Sequence, residues 1–177
     1  DQESLIRRLR NQYIEQYAKH LKKEIPSAPQ LINYFSYSRN TCQSLQAYLS
    51  KNTDLDQDLI DRCAKIYDDY HNTKKRRGYL DYDDLLESFA QALAKKPNLR
   101  KDLAQSFDEI LVDEMQDTNP LQFSILKHFS TEQVRLFCVG DPAQSIYRFR
   151  GAEFKHVYAF DRIFGNSAII PLSLNYR

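Results

Sequence analysis

Asp113 and Glu114 are adjacent carboxylates that follow directly on the apolar run Ile110-Leu111-Val112 and lead into Met115-Gln116-Asp117-Thr118-Asn119. A short aliphatic run bounded by polar residues reads as a buried strand, in the manner of a parallel sheet. Open α/β sheets bind ligands beyond the carboxyl ends of their strands. There one acid can hold a divalent cation through its water shell while the other polarises an attacking water. A solvated acidic strand end carries the same two residues, so the pair by itself leaves both readings open.

A second group lies in Gly140-Asp141-Pro142-Ala143-Gln144-Ser145-Ile146-Tyr147-Arg148-Phe149-Arg150-Gly151-Ala152. Gln144 is an uncharged donor and acceptor that can touch a terminal phosphate and a water together. Tyr147 and Phe149 alternate with Arg148 and Arg150. Bases of a single strand stack on such rings while guanidinium groups take phosphates. A core strand can alternate in the same way. The end of the chain, Leu172-Ser173-Leu174-Asn175-Tyr176-Arg177, adds a cation that assigns nothing alone.

These groups need a scaffold, and 177 residues suffice for one good core plus a small helical subdomain. The formal charge of +1 argues neither for nor against a nucleic-acid partner. Cys42, Cys63 and Cys138 are odd in number and never in a C-x-x-C, which reads as reduced thiols in a cytoplasmic protein. The four histidines form no H-E-x-x-H. No apolar run approaches the ~20 residues of a membrane span, and no signal peptide opens the chain. Residue 1 already reads as amphipathic helix, so the sequence is expected to be a segment of a longer chain.

Residues 1–96 read as helices, a helical accessory subdomain. Leu5, Leu9, Tyr13, Tyr17 and Leu21 recur at i+4, with Ile6, Ile14 and Ala18 beside them, and Pro26 and Pro29 separate this helix from the next. Leu31, Ile32 and Phe35 mark the second helix; Leu45, Tyr48 and Leu49 mark a third. A fourth begins near Asp54 and runs out in Lys74-Lys75-Arg76-Arg77-Gly78, a basic helix end that either grips phosphates or lies in solvent. Asp81-Tyr82-Asp83-Asp84 suits the positive end of a fifth helix, whose inward face reads as Leu85, Leu86, Phe89 and Leu93. Residues 97–177 carry a short helix after Pro97 and then an α/β alternation from Phe107 onward. That alternation comprises strand 109–113, a helix opened by Asn119-Pro120, strand 134–139, a helix near 153–164 and strand 168–172.

The three groups together are more specific than their parts. Asp-Glu-x-Gln-Asp-Thr-Asn, then Gly-Asp-x-x-Gln-Ser-Ile-Tyr-Arg-Phe-Arg-Gly-Ala, then Leu-x-x-Asn-Tyr-Arg closely resembles motifs II, III and IV of the UvrD/Rep group of superfamily 1 DNA helicases, in that order. Asp81-Tyr82-Asp83-Asp84-Leu85-Leu86 resembles the Asp-Phe-Asp-Asp-Leu block that precedes motif II there. The motif-bearing match covers about 78–177; residues 1–77 fit by position as the inserted helical subdomain, called 1B.

The resemblance implies an α/β fold: a partial P-loop NTPase (RecA-like) parallel sheet with an inserted all-helical subdomain. It implies ATP and Mg2+ as cofactors, with Asp113 on the magnesium and Glu114 activating the hydrolytic water beside it. Gln144 senses the γ-phosphate, Gln116 supports that coupling, and Arg177 reaches the γ-phosphate as an arginine finger. Tyr147 and Phe149 become stacking platforms for single-stranded DNA, with Arg148 and Arg150 nearby, and Tyr82 stands where the family has a base-stacking Phe. Phe149 departs from the Trp of many relatives, a smaller ring for the same task. The implied partners are single-stranded DNA, its junctions with duplex, and no membrane.

A P-loop, G-x-x-x-x-G-K-[ST], is not among these residues: Gly78, Gly140, Gly151 and Gly165 are the only glycines, and none begins it. The family places that loop upstream and a second RecA-like domain downstream. The segment alone is therefore expected not to turn over ATP, and its unpaired strand edges are expected to promote self-association. Two further readings stay open: the motor of a RecB/AddA-type helicase–nuclease, and a non-catalytic DNA-binding module.

Overall fold

The computed structural model describes residues 1–130, 132, 134–144, 160–165 and 167–172. Tyr147, Arg148, Phe149, Arg150 and Arg177 lie outside the described residues, as does much of the helix expected near 153–164. The chain divides into two compact units, Asp1–Phe89 and Ala90–Arg177.

The first unit is helical: α1 Gln2–Tyr17, α2 Ala28–Asn40, α3 Leu45–Asn52, α4 Gln57–Arg77 and the start of α5 Tyr82–Lys95. Side chains set the helix starts. Asp1, Ser44 and Asp56 accept the N–H groups of Glu3, Ala47 and Leu59, and Ser27 with Gln30 forms a capping box on α2. Gly78 ends α4 in the left-handed region at φ 64°, where a Cβ is disfavoured. α1 packs on α2 and α4, and α3 on the same two helices. One apolar core joins them, with Ile6, Ile14, Leu31, Phe35, Leu49, Cys63, Ile66 and Tyr70 almost fully buried. Burial pushes the Cys63 thiol up to about 11, so this cysteine is a packing residue rather than a nucleophile.

Two expectations for this unit are corrected. α1 stops at Tyr17 instead of running to Leu21 and Pro26, and a 3₁₀ turn, Lys19–Leu21, follows. Arg10 decides this by donating to the carbonyls of Pro26 (2.6 Å), Ile25 (2.8 Å) and Lys22 (3.2 Å), which secures the turning segment. The helix accordingly buries Ile6 and Ile14, while Tyr17 is exposed. On α5, Leu85 and Phe89 are exposed rather than inward, and Ala90 and Leu93 are the buried residues. Arg39 of α2 claims the face of Asp84 and Glu87, which turns the neighbouring apolar residues outward.

The second unit contains α6 Pro97–Ala104, β1 Glu109–Val112, α7 Pro120–Ser130, β2 Arg135–Cys138 and α8 Phe160–Phe164. β1 and β2 pair in parallel, Ile110 opposite Leu136 and Leu111 opposite Phe137. A parallel pair needs a crossover, and α7 supplies it. Asn119 and Gln122 each accept the other's backbone N–H (2.9 and 3.1 Å), capping α7 just ahead of Pro120. Leu93, Ala104 and Phe129 form the buried centre, with Ile110, Ile125 and Val134 against it.

The strands differ from expectation in burial. Alternation places Leu111 and Phe137 on the same face, and there they are 72% and 52% exposed. Only the opposite face is covered among the described residues. The strand expected at 168–172 makes no ladder among them either; Ile169, Ile170 and Leu172 are exposed. A strand exists only where a neighbour takes its backbone groups, which its own apolar residues cannot guarantee.

Candidate functional site

The carboxyl ends of β1 and β2 lie side by side in the parallel ladder, so the acidic pair and the Gly-Asp-x-x-Gln loop meet there. Val139 N–H donates to Val112 O (2.8 Å) and Met115 N–H to Val139 O (2.9 Å), which carries the pairing past the last strand residue. Asp113 and Glu114 are both exposed, and Asp113 Oδ1 accepts the Glu114 N–H at 2.9 Å. Glu114 sits in the left-handed region, φ 50° and ψ 43°. A non-glycine residue held there costs on the order of 1–3 kcal/mol, a cost that surrounding contacts must offset.

Those contacts run through Gln116, which is 1% exposed. Its Nε2 donates to Glu114 Oε2 at 2.5 Å, and its Oε1 accepts the Asp141 N–H at 2.9 Å. One buried amide therefore fixes the second carboxylate beyond the end of β1 and the first loop residue beyond Gly140. Asp141 in turn accepts from Gln144 Nε2 (2.8 Å) and from Ala143 N–H (2.9 Å). The bond from Gln144, then that from Ala143, holds the Asp141 carboxyl below the usual carboxylate range. Glu114, Gln116, Asp141 and Gln144 thus form one hydrogen-bonded chain across two strand ends.

Gly140 is required by this arrangement. A Cβ there meets Gln116 Oε1 at 2.8 Å, Met115 Cβ at 3.2 Å and the Gln116 nitrogen at 3.3 Å. Gly140→Ala is expected to force Gln116 off the Asp141 N–H and cost about 1–3 kcal/mol, as overpacking commonly does; urea denaturation followed by circular dichroism measures it. Neither Gly140 nor Asp141 stood out as a site residue in the sequence. Only a lone glycine at a strand end hinted at the close approach.

No three His, Cys, Asp or Glu side chains among the described residues gather to hold a metal ion unaided. Two exposed neighbouring carboxylates suit a magnesium ion that completes its shell with waters and phosphate oxygens, so Asp113 and Glu114 fit that group. No helix among the described residues is long and apolar enough to cross a membrane.

Tyr82 begins α5 and is 88% exposed. Beneath it lies an ionic cluster that sequence reading did not detect. Asp81 and Asp84 each accept the other's backbone N–H (2.8 and 2.9 Å), which caps α5. Lys74 donates to Asp81 (2.5 Å) and Asp84 (2.6 Å), and Tyr70 to Asp81 (2.7 Å). Arg39 reaches Asp81 (3.3 Å), Asp84 (2.8 Å) and Glu87 (2.7 Å). Lys74 is therefore buried, while Lys75, Arg76 and Arg77 remain in solvent. The run Asp81-Tyr82-Asp83-Asp84 signals the start of α5, as read from the sequence, but carries no sign of these ion pairs. Nothing local marks Arg39, whose partners lie more than forty residues away.

The sequence pattern of the UvrD/REP helicase N-terminal domain family matches residues 1–165. The chain belongs to that family. Among curated relatives of this UvrD/REP family chain, the ATP-dependent DNA helicase PcrA of Bacillus subtilis (strain 168) is 35% identical over 114 residues, 64% of this chain and 15% of its own length. An ATP-dependent helicase/nuclease of Natranaerobius thermophilus is 38% identical over 152 residues, 82% of this chain and 12% of its own length. The ATP-dependent DNA helicase UvrD1 of Mycobacterium bovis is 32% identical over 154 residues, 83% and 20% of the two lengths. The UvrD/REP chain thus spans 12% to 20% of the length of these three relatives.

Proposed function

We propose that this UvrD/REP family chain forms part of the motor of an ATP-dependent DNA helicase or translocase, with the helical unit as its inserted 1B subdomain. The observation that carries the reading is the Gln116 amide, which ties Glu114 to the loop bearing Gln144. A motor has to link the group that activates water to a group that reports the state of the nucleotide, and this buried amide supplies a short link. Asp113 holds the magnesium, Glu114 orients and deprotonates the attacking water, and Gln144 contacts the γ-phosphate. Bound Mg·ATP contributes the phosphoryl group and a cation that neutralises charge as the bond breaks. Arg177 as arginine finger, and Tyr147, Arg148, Phe149 and Arg150 as DNA contacts, are assigned by motif alone. Tyr82, open to solvent, is a further base-stacking position.

The helicase–nuclease reading keeps one specific support. The helicase/nuclease relative is more identical to this chain than UvrD1 over a stretch of nearly equal length. A nuclease domain in the full-length protein would decide for it.

The phosphate cradle is assigned to a P-loop outside residues 1–177, so turnover belongs to a longer chain. Steady-state ATPase, with and without single-stranded DNA, tests this on the present chain, on one extended upstream through a P-loop, and on the full-length protein. The present chain should be silent and the full-length protein stimulated by DNA. A full-length protein that hydrolyses no ATP would overturn the motor reading.

A further inference from the structure

Asp141 meets Gln144 twice. The Gln144 N–H donates to Asp141 O at 3.0 Å, closing the 3₁₀ turn Pro142–Gln144, and Gln144 Nε2 donates to Asp141 Oδ2 at 2.8 Å. The other carboxylate oxygen, Oδ1, takes the Ala143 N–H at 2.9 Å. The Asp141 N–H goes to Gln116 Oε1, so the residue is anchored at its backbone before its side chain acts. Both oxygens are committed within the loop, and Asp141 joins no group of acids able to hold a metal ion among the described residues. An ionised carboxylate only accepts hydrogen bonds, and the bonds from Gln144 and Ala143 favour the ionised form by holding the Asp141 pKa down. Asp141 therefore binds the Gln144 amide by its Nε2 end and not by its Oε1 end. The second Nε2–H and Oε1 of Gln144 take no partner among the described residues. They form an edge with a donor and an acceptor in fixed places.

We infer that Asp141 is a positioning residue for the Gln144 amide: by holding its Nε2 end, it presets the donor for a γ-phosphate and so gives the site a preference for ATP over ADP. A side-chain amide left free shows its edge in either sense, because the two differ by a half-turn. Phosphate oxygens only accept, whereas water both donates and accepts, so the sense matters to a group that must touch both. A turn that merely shapes the loop needs the bond to Ala143 alone; the bond to Gln144 is additional. The inference rests on Gln144 being the γ-phosphate contact of the proposed motor, and it adds the group that orients that contact. Asp141 acts through Gln144 and touches neither nucleotide nor metal ion.

Asp141→Asn in the full-length protein tests it. Asparagine keeps an oxygen for the Ala143 N–H, so the turn survives, but it offers Nδ2 to Gln144. Two NH₂ groups do not pair; the Gln144 amide turns round, and its donor and acceptor exchange places. Equilibrium titration compares Mg·ADP with a non-hydrolysable Mg·ATP analogue. The analogue should bind about tenfold more weakly, the value of one hydrogen bond to a charged group, while ADP affinity is unchanged. In a Gln144→Ala background, Asp141→Asn should cost nothing further, because the group it orients is gone. Equal loss of ADP and analogue would overturn the inference and make Asp141 a loop cap or a metal ligand. Additive losses in the double variant would overturn it as well. If Gln144→Ala weakens the analogue while Asp141→Asn does not, the orienting role fails and the γ-phosphate contact stands. If Gln144→Ala leaves analogue binding intact, the γ-phosphate contact itself falls, and the inference with it.

Discussion

Glu114→Gln in the full-length protein leaves ATP binding close to wild type while turnover falls about 10²–10⁴-fold, the usual contribution of a positioned general base. The substitution isolates the chemistry because the geometry accepts it. Glutamine is nearly isosteric with glutamate, and its amide oxygen can still accept the Gln116 Nε2–H that now reaches Glu114 Oε2. The left-handed backbone at this position stays occupied by a residue of the same branching. What disappears is the capacity to take a proton from water. Fluorescent-nucleotide titration and single-turnover hydrolysis measure the two halves independently. Hydrolysis near the wild-type rate would remove Glu114 from its role and return the acidic pair to a solvated strand end.

Arg39→Leu is expected to destabilise the helical unit by about 3–5 kcal/mol at neutral pH, the usual cost of breaking a buried ion-pair network by removing one member, here leaving Lys74 as the one cation on Asp81 and Asp84 among the described residues. The Arg39 side chain is 4% exposed and its carboxylate partners Asp81 and Asp84 are 9% and 13% exposed, so solvent screens the cluster little. The effect should also depend on pH. Burial raises the Asp81 and Asp84 pKa values, but hydrogen bonds from Lys74 and the other donors outweigh it, and both carboxyls lie below their ordinary value of 3.8. A carboxyl with a depressed folded pKa contributes stability that is complete above its unfolded pKa and is lost as pH falls through the folded one. The wild-type advantage should thus be full near neutrality and shrink below about pH 4. His71 acts in the same direction at higher pH: burial, then Lys74 and Arg39, hold its pKa below 6.5, so acidification from there already favours the unfolded chain. Thermal unfolding of both proteins across the acid range checks this. A gap that stays constant with pH would place the destabilisation in packing rather than in charge.

The two acidic groups were not equally legible. Asp113 and Glu114 stand after an aliphatic run that has few structural options, so a strand end was readable from a handful of contiguous residues. Gln116 could be noted but not explained, because its partner Asp141 lies twenty-five residues away and only the parallel ladder brings it near. Arg39 was silent for the same reason. Lys74 looked like any other cation of a helix end until folding turned it inward.

The sequence by itself determined the family, the succession of helices before Phe107, the two strands at 109–113 and 134–139, and the chemical character of the strand-end loops. Each of these depends on neighbours within one or two turns, or on a motif whose residues are contiguous. Tertiary structure alone decided where α1 ends, which face of α5 is buried, which cation of the basic cluster is paired, and that 168–172 makes no ladder among the described residues. It also decided that one buried amide joins Glu114 to the Gln144 loop. These outcomes depend on which distant group arrives to take a carbonyl, a carboxylate or a strand edge. Local propensity and periodicity do not encode that arrival.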